Sequence, residues 1–244
     1  MTLPLSSPPL ITPRLHVVTA SDERPVVLSE LHVFVEISGA LAITTWQLIF
    51  DNPNSRPLAG QLEFPLLAGQ TIVRFAMDVD GGLRDAAPGL LERSEGDSYR
   101  ARVFPLLPGV PKRVVIAYQE ALVDRDGAPH YRLALELPTL RSFTLQLAVR
   151  GRDSAPRVVA DTLGLRVPTW PEGHVLQITR DNFSARGTLE LALAERSRPA
   201  LTTQRLGERT YFRAEQAIAP RTRPRLSPRT LGILWDASGS GRAR

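Results

Sequence analysis

Near its carboxyl end the chain reads Asp236-Ala237-Ser238-Gly239-Ser240, with oxygen-bearing side chains at alternate positions. A carboxylate and two hydroxyls so spaced can turn toward one point and suit a hard divalent cation such as magnesium, with water and further oxygens completing an octahedron. Three ligands alone hold magnesium weakly, because dehydration of the ion is offset only by a preformed cage. Composition alone reads the stretch as a flexible Gly/Ser tail; the apolar run Leu231 to Trp235 directly before it favours the ligand reading. Catalytic patterns are absent elsewhere. His16, His32, His130 and His174 are isolated, with no H-E-x-x-H pair and no G-x-S-x-G elbow. Glu36, Glu63, Asp78 and Asp80 could pair for glycoside hydrolysis, which needs two carboxyl groups flanking the scissile bond, yet no aromatic run surrounds them to hold a sugar. Asp78 and Asp80 could bind calcium at a loop or cap a turn. No glycine-rich phosphate cradle stands between a strand and a helix.

The elements that must position these residues are strands. Apolar residues recur at period two in Leu133, Leu135 and Leu137, in Leu145, Leu147 and Val149, and in Leu189, Leu191 and Leu193, each set describing a half-buried strand. Comparable runs span Val33 to Ile37, Ile43 to Phe50, Ile72 to Val79, Tyr99 to Phe104 and Arg113 to Tyr118. Turn chemistry separates them at Asp51-Asn-Pro-Asn54, Asp80-Gly-Gly82 and Asp124-Arg-Asp-Gly127. With 21 prolines and no long helical pattern, the expected fold is all-β, built as antiparallel sandwiches. Residues 1–25 read as a polar, proline-rich lead-in expected to be poorly ordered. Residues 26–123 form one sandwich. Residues 128–219 form a second group of strands that either folds alone or completes the first. Residues 220–230 form a Pro/Arg linker, and 231–244 a last short strand with its loop.

The chain's 244 residues suffice for one large or two ordinary cores. The absence of cysteine excludes disulfides and thiolate metal sites and leaves the compartment open. Of 30 basic residues only Lys112 is lysine, a bias attributed to a GC-rich genome. Arginines crowd residues 196–229, where only Glu208 and Glu215 oppose them. That segment could steer polyanions, but a solvated strand face followed by a basic linker explains it, since nucleic-acid sites also need aromatic platforms or a recognition helix. Met1 to Pro13 lacks the charged start of a signal peptide, and no run reaches the ~20 apolar residues of a membrane span. No nucleic-acid, membrane or small-molecule partner is expected; a protein partner is.

Several landmarks occur in a fixed order: Phe50-Asp-Asn-Pro53, Arg56-Pro57, Phe64-Pro-Leu66, Gly69, Val103 to Gly109 with its Phe104-Pro-Leu-Leu-Pro-Gly109, and Val114 to Tyr118. In this order they resemble the VIT domain, the module that precedes von Willebrand factor A domains in inter-alpha-trypsin inhibitor heavy chains and bacterial surface proteins. A short apolar strand followed by D-x-S-x-S is similar to the opening of such an A domain. The resemblance implies a β-sandwich with Phe64 and Phe104 plugging its core. It also implies that Asp236, Ser238 and Ser240 are the first part of a metal-ion-dependent adhesion site, holding Mg2+ or Mn2+ only in a complete A domain, and that the chain stops at the start of that domain. VIT domains usually carry a charged helical segment after the strand ending near Asp80; here Arg84-Asp-Ala-Ala-Pro88 passes almost directly to Gly89-Leu-Leu-Glu92. The function implied is a non-enzymatic, adhesion-type protein-interaction module like those of bacterial surface and sorting-associated proteins, which are membrane-anchored or extracytoplasmic. The other reading is a carbohydrate-binding or glycoside-hydrolysing β-sandwich. Trp46 and Trp170 decide between them: exposed and clustered around paired carboxylates they favour sugar, buried and dispersed they do not.

Overall fold

The computed structural model describes residues 10–86, 91–93, 98–125, 127–194 and 200–215. In chain order the strands are β1 (Arg14–Val17), β2 (Val27–Ser38), β3 (Leu41–Asp51), β4 (Leu58–Pro65), β5 (Gln70–Val79), β6 (Gly82–Asp85), β7 (Leu91–Arg93) and β8 (Ser98–Leu106). They continue as β9 (Lys112–Ala121), β10 (Val123–Arg125), β11 (Ala128–Arg150), β12 (Arg157–Asp161), β13 (Val175–Ala192), β14 (Ala200–Leu206) and β15 (Arg209–Glu215). Among the described residues every regular element is a strand, as the period-two runs predict.

Up to Ser197 the chain forms one unit. Its large sheet has nine strands in the order β12-β13-β11-β2-β3-β9-β5-β6, with β10 beside β11; its small sheet runs β1-β4-β8-β7. One buried cluster joins them, drawing Leu31, Val33, Trp46 and Ile116 from the large sheet and Leu62, Phe64 and Val103 from the small one. Phe64 meets Trp46 edge-on, with centroids 5.3 Å apart and planes at 89°, an arrangement the ring quadrupoles favour. The expected second group, 128–219, divides: β11 to β13 join the large sheet, whereas β14 and β15 form a sheet of their own in a second unit. β11 lies parallel to β2, from Ser142↔Glu30 to Arg150↔Ser38, and so extends the first sheet. That pair departs from the antiparallel pattern followed by the other named strands. Pro138 and Thr139 form a bulge on β11 between Leu137↔Ala185 and Leu140↔Phe183, where proline withholds no donor that the ladder requires.

Two expectations are corrected here. The lead-in is ordered from residue 10: Ile11 is 1% exposed, its N–H donates to the Ala134 carbonyl at 3.1 Å, and its carbonyl accepts from Glu136 N–H at 3.2 Å. The physical reason is that β11 outruns β2. Its backbone groups beyond Ser142 need partners once buried, and residues 11 and 123–125 supply them. The segment then passes to the small sheet as β1, pairing Arg14 with Glu63 and Val17 with Gly60.

The second correction concerns Phe104, which is 53% exposed. Ala101 and Val103 take the inward positions of β8, so alternation turns Arg100, Arg102 and Phe104 outward. A bulge then sets Phe104 and Pro105 against Ala59 alone, between Gly60↔Val103 and Leu58↔Leu106, and returns Leu106 to the core. Phe64 follows the core-facing Leu58, Gly60 and Leu62 in phase and is buried as expected.

From Arg198 the second unit begins, and its described part is the hairpin β14–β15, registered Leu201↔Ala214 through Leu206↔Arg209. Leu201, Tyr211 and Phe212 are exposed on it. The linker at 220–230 and the strand and loop at 231–244 lie outside the described residues.

Candidate interaction surface

Most residues of the sequence landmarks hold the fold together. Asn52 is buried, and its Nδ2 donates to the carbonyls of Arg56 at 2.9 Å and Leu106 at 2.8 Å, while its Oδ1 accepts from the backbone and side-chain nitrogens of Asn54, each at 3.0 Å. Gly109 N–H donates back to the Asn52 carbonyl at 3.3 Å. The Asn-Pro turn and the second Phe-Pro turn are therefore one clamp. Beside it Lys112, the sole lysine, is buried and donates to the carbonyls of Asp78 and, at 3.3 Å, Phe104, tying β5 to β8 across the two sheets. Burial pushes its pKa down.

The candidate chemical residues are dispersed. His16 faces Glu63 at 3.5 Å, His32 faces Glu30 at 3.6 Å, and His130 Nδ1 lies 2.7 Å from Glu190. His174 sits in a turn at positive φ, its N–H donating to the Pro171 carbonyl. Glu36 pairs with Arg150 at 2.6 Å and Asp78 with Arg113 at 2.9 Å, while Asp80 occupies the β5–β6 turn at φ +50°. The structure thus favours turn geometry over a calcium loop at Asp78 and Asp80. Asp236, Ser238 and Ser240 lie outside the described residues.

Within the core, Thr44 Oγ1 and Tyr131 OH are 2.9 Å apart, and Gln70 Nε2 donates to Glu120 at 3.3 Å. Burial raises the Glu120 carboxyl to about 7 against its ordinary 4.5, with the Gln70 hydrogen bond opposing the rise. Pattern reading passed over this residue, although an acid two positions beyond the core tyrosine Tyr118 on the same strand face was a usable signal.

Among the grooves on the described residues of the first unit, two bear on the site. One, of about 870 Å3, lies where the segment before β1 leaves β11, lined by Thr12, Arg14, Glu63, Glu136, Thr162 and Arg186 among others. It holds two carboxylates, but among the described residues no aromatic ring lines it. Trp46 is 0% exposed, and Trp170 is partly buried against the core.

The other groove, of about 790 Å3, lies along the small sheet between His16 and Val18 on one side and Arg100 and Arg102 on the other, over Ala59, Gly60 and Gln61. A Cβ on Gly60 would stand 2.7 Å from Leu15 Cδ1 and 3.0 Å from Val17 Cγ2, so those two side chains of β1 would have to shift to admit one. The exposed side chains form rungs across the strands. Arg14, Glu63, Arg100 and Glu92 are in register, with Arg100 bonded to Glu63 at 3.3 Å. Next come His16, Gln61 and Arg102; past the end of β1, Val18 lines the same groove as Ala59, and Phe104 stands on the bulge with the Arg102 guanidinium 5.7 Å from its ring centroid. This face was missed because Phe104 was read into the core; the signal available was its phase with Arg100 and Arg102.

The first unit is an all-β sandwich whose sequence landmarks form its structural clamps. Residues 28–87 match the family model of the Vault protein inter-alpha-trypsin (VIT) domain. Similar solved structures include a proposed nutrient-binding protein of Legionella pneumophila, 14% identical with a TM-score of 0.48, the match covering 69% of this chain and 66% of that one. Another is an M1 zinc metallopeptidase of Deinococcus radiodurans, 12% identical with a TM-score of 0.43, covering 79% and 47%. The chain thus spans less than two thirds of either. No curated protein matches it.

Proposed function

We propose that this chain is a non-enzymatic protein-interaction module of adhesion type, whose partner is another protein. The observation that carries the reading is the VIT match at residues 28–87, which covers β2 to β6 and so includes β4 of the small sheet. The burial of Trp46 supports it against a sugar-binding sandwich, since sugar subsites are built on exposed aromatic faces. The bacterial surface setting and a magnesium- or manganese-dependent contact through Asp236, Ser238 and Ser240 belong to the same proposal and rest on the resemblance alone. The test is reconstitution: a partner captured with the purified chain is itself purified and titrated calorimetrically. Saturable binding with no turnover supports the reading. Hydrolysis of glycoside substrates, abolished by Glu63→Gln or Glu136→Gln in the two-carboxylate groove, would establish the other one.

A further inference from the structure

We propose that the exposed face of the small sheet is the docking surface of this module, and that its occupant is an extended acidic protein segment carrying an apolar side chain two residues from a carboxylate. The proposal rests on the interaction-module reading and gives it a location and a partner chemistry. The two rungs differ in what they lack. Arg14, Glu63, Arg100 and Glu92 alternate in sign and neutralise one another. On the next rung Arg102 has neutral Gln61 opposite it, so its charge is uncompensated within the rung, while His16 beyond Gln61 faces Glu63 at 3.5 Å. Past these rungs, Val18, 90% exposed, follows β1 beside the groove, and Phe104, 53% exposed, stands on the bulge opposite Ala59.

Arg102 stacked on Phe104 makes a flat, partly pre-ordered platform. Aromatic and arginine anchors of this kind carry most of the binding energy at protein interfaces. Along β8 a cationic side chain, Arg102, and an apolar one, Phe104, stand one strand repeat apart, or roughly 7 Å, with Val18 beside the same groove. An extended chain presents residues i and i+2 on one face with the same spacing. Charge and apolar complementarity therefore select a carboxylate over Arg102 followed by an apolar side chain over Val18 and Phe104.

The test is fluorescence anisotropy with the full chain and three labelled peptides. One repeats Glu-Ser-Val-Ser, which places Glu and Val on the same face when extended. The second repeats Glu-Val-Ser-Ser, of equal composition but with Glu and Val on opposite faces. The third repeats Lys-Ser-Val-Ser. The expected result is saturable binding of the first, weakened roughly tenfold by Phe104→Ser or Arg102→Ala and by added salt, with the other two binding less. Gln61→Glu, which sets a carboxylate in the rung of Arg102 and leaves Val18 and Phe104 intact, weakens binding comparably, and unchanged melting of each variant separates docking from folding.

The proposal is overturned if the variants bind as wild type, if the opposite-face peptide binds equally, or if heparin binds as tightly without dependence on Phe104, which would mark a bare polyanion patch. A dimer in sedimentation that Phe104→Ser dissolves would assign the face to a second copy instead. A purified partner binding wild type and Phe104→Ser alike removes this surface and leaves the interaction reading standing; absence of both partner and peptide binding removes both.

Discussion

Two carboxylates show how context sets the behaviour of a side chain. The Arg141 guanidinium, 2.6 Å from Glu30, holds that carboxyl below its usual range. Among the described residues no cation pairs with Glu120 to offset its burial, and its pKa rises to about 7. Because the folded chain then holds this proton more tightly than the unfolded one, Glu120 contributes stability at low pH that is lost as pH climbs from about 4.5 through about 7. The groups facing it are Gln70, which donates to it, and the tyrosines Tyr118 and Tyr131, whose own ionisation burial opposes. Glu120→Gln keeps an acceptor for Gln70 and removes the charge. Thermal melts should show the variant matching wild type near pH 5 and exceeding it near pH 8, by up to ~3 kcal/mol; equal pH profiles would show that Glu120 is not the group responsible.

Residues 10–17 are few, yet as an element they serve both sheets. Ile11 completes the backbone pairing of β11, and β1 covers the edge of β4. An edge without such cover invites pairing with another chain. Ile11→Ala should therefore cost about 2–4 kcal/mol, as for a large-to-small change in a closed core, read as a lower urea midpoint with an unchanged slope. Val18→Ala, at a neighbouring exposed position, serves as the control and should leave the midpoint in place. A poorly ordered lead-in would make the two variants indistinguishable.

For the whole first unit, the decisive fact is that β11 pairs with both β2 and β13 and threads its leucines into the common cluster. Val33, Val35 and Ile37 on β2 share that core with Leu145, Leu147 and Val149 on β11. Residues 10–125 expressed alone should consequently lack a cooperative melt and expose apolar surface to dye, whereas the full chain should give a main transition involving both groups of strands. A sharp independent transition from the shorter chain would show that the VIT-like strands and those after them are separate folding units after all.

Strand identity was legible in the sequence, because the period-two rhythm of runs such as Leu133-x-Leu135-x-Leu137 is a local property of an extended chain half in contact with a core. Turn chemistry was legible too: the Asp80 and Gly81 positions take positive φ at the β5–β6 turn, as their residue types allow. So was the burial of Phe64, which continues the phase of its own strand. Facts that depend on distant partners were not. Phe104 shares a Phe-Pro-Leu-Leu motif with Phe64 but stands in the opposite phase, and the bulge that restores Leu106 to the core is defined only against Ala59 on β4. The order of Ile11 depends on the unpaired backbone of a strand more than a hundred residues later, and that of residues 14–17 on β4. Composition could not place β11 beside β2, because strand neighbours are chosen by which apolar faces close one core together, and that choice exists only when the whole sandwich is assembled.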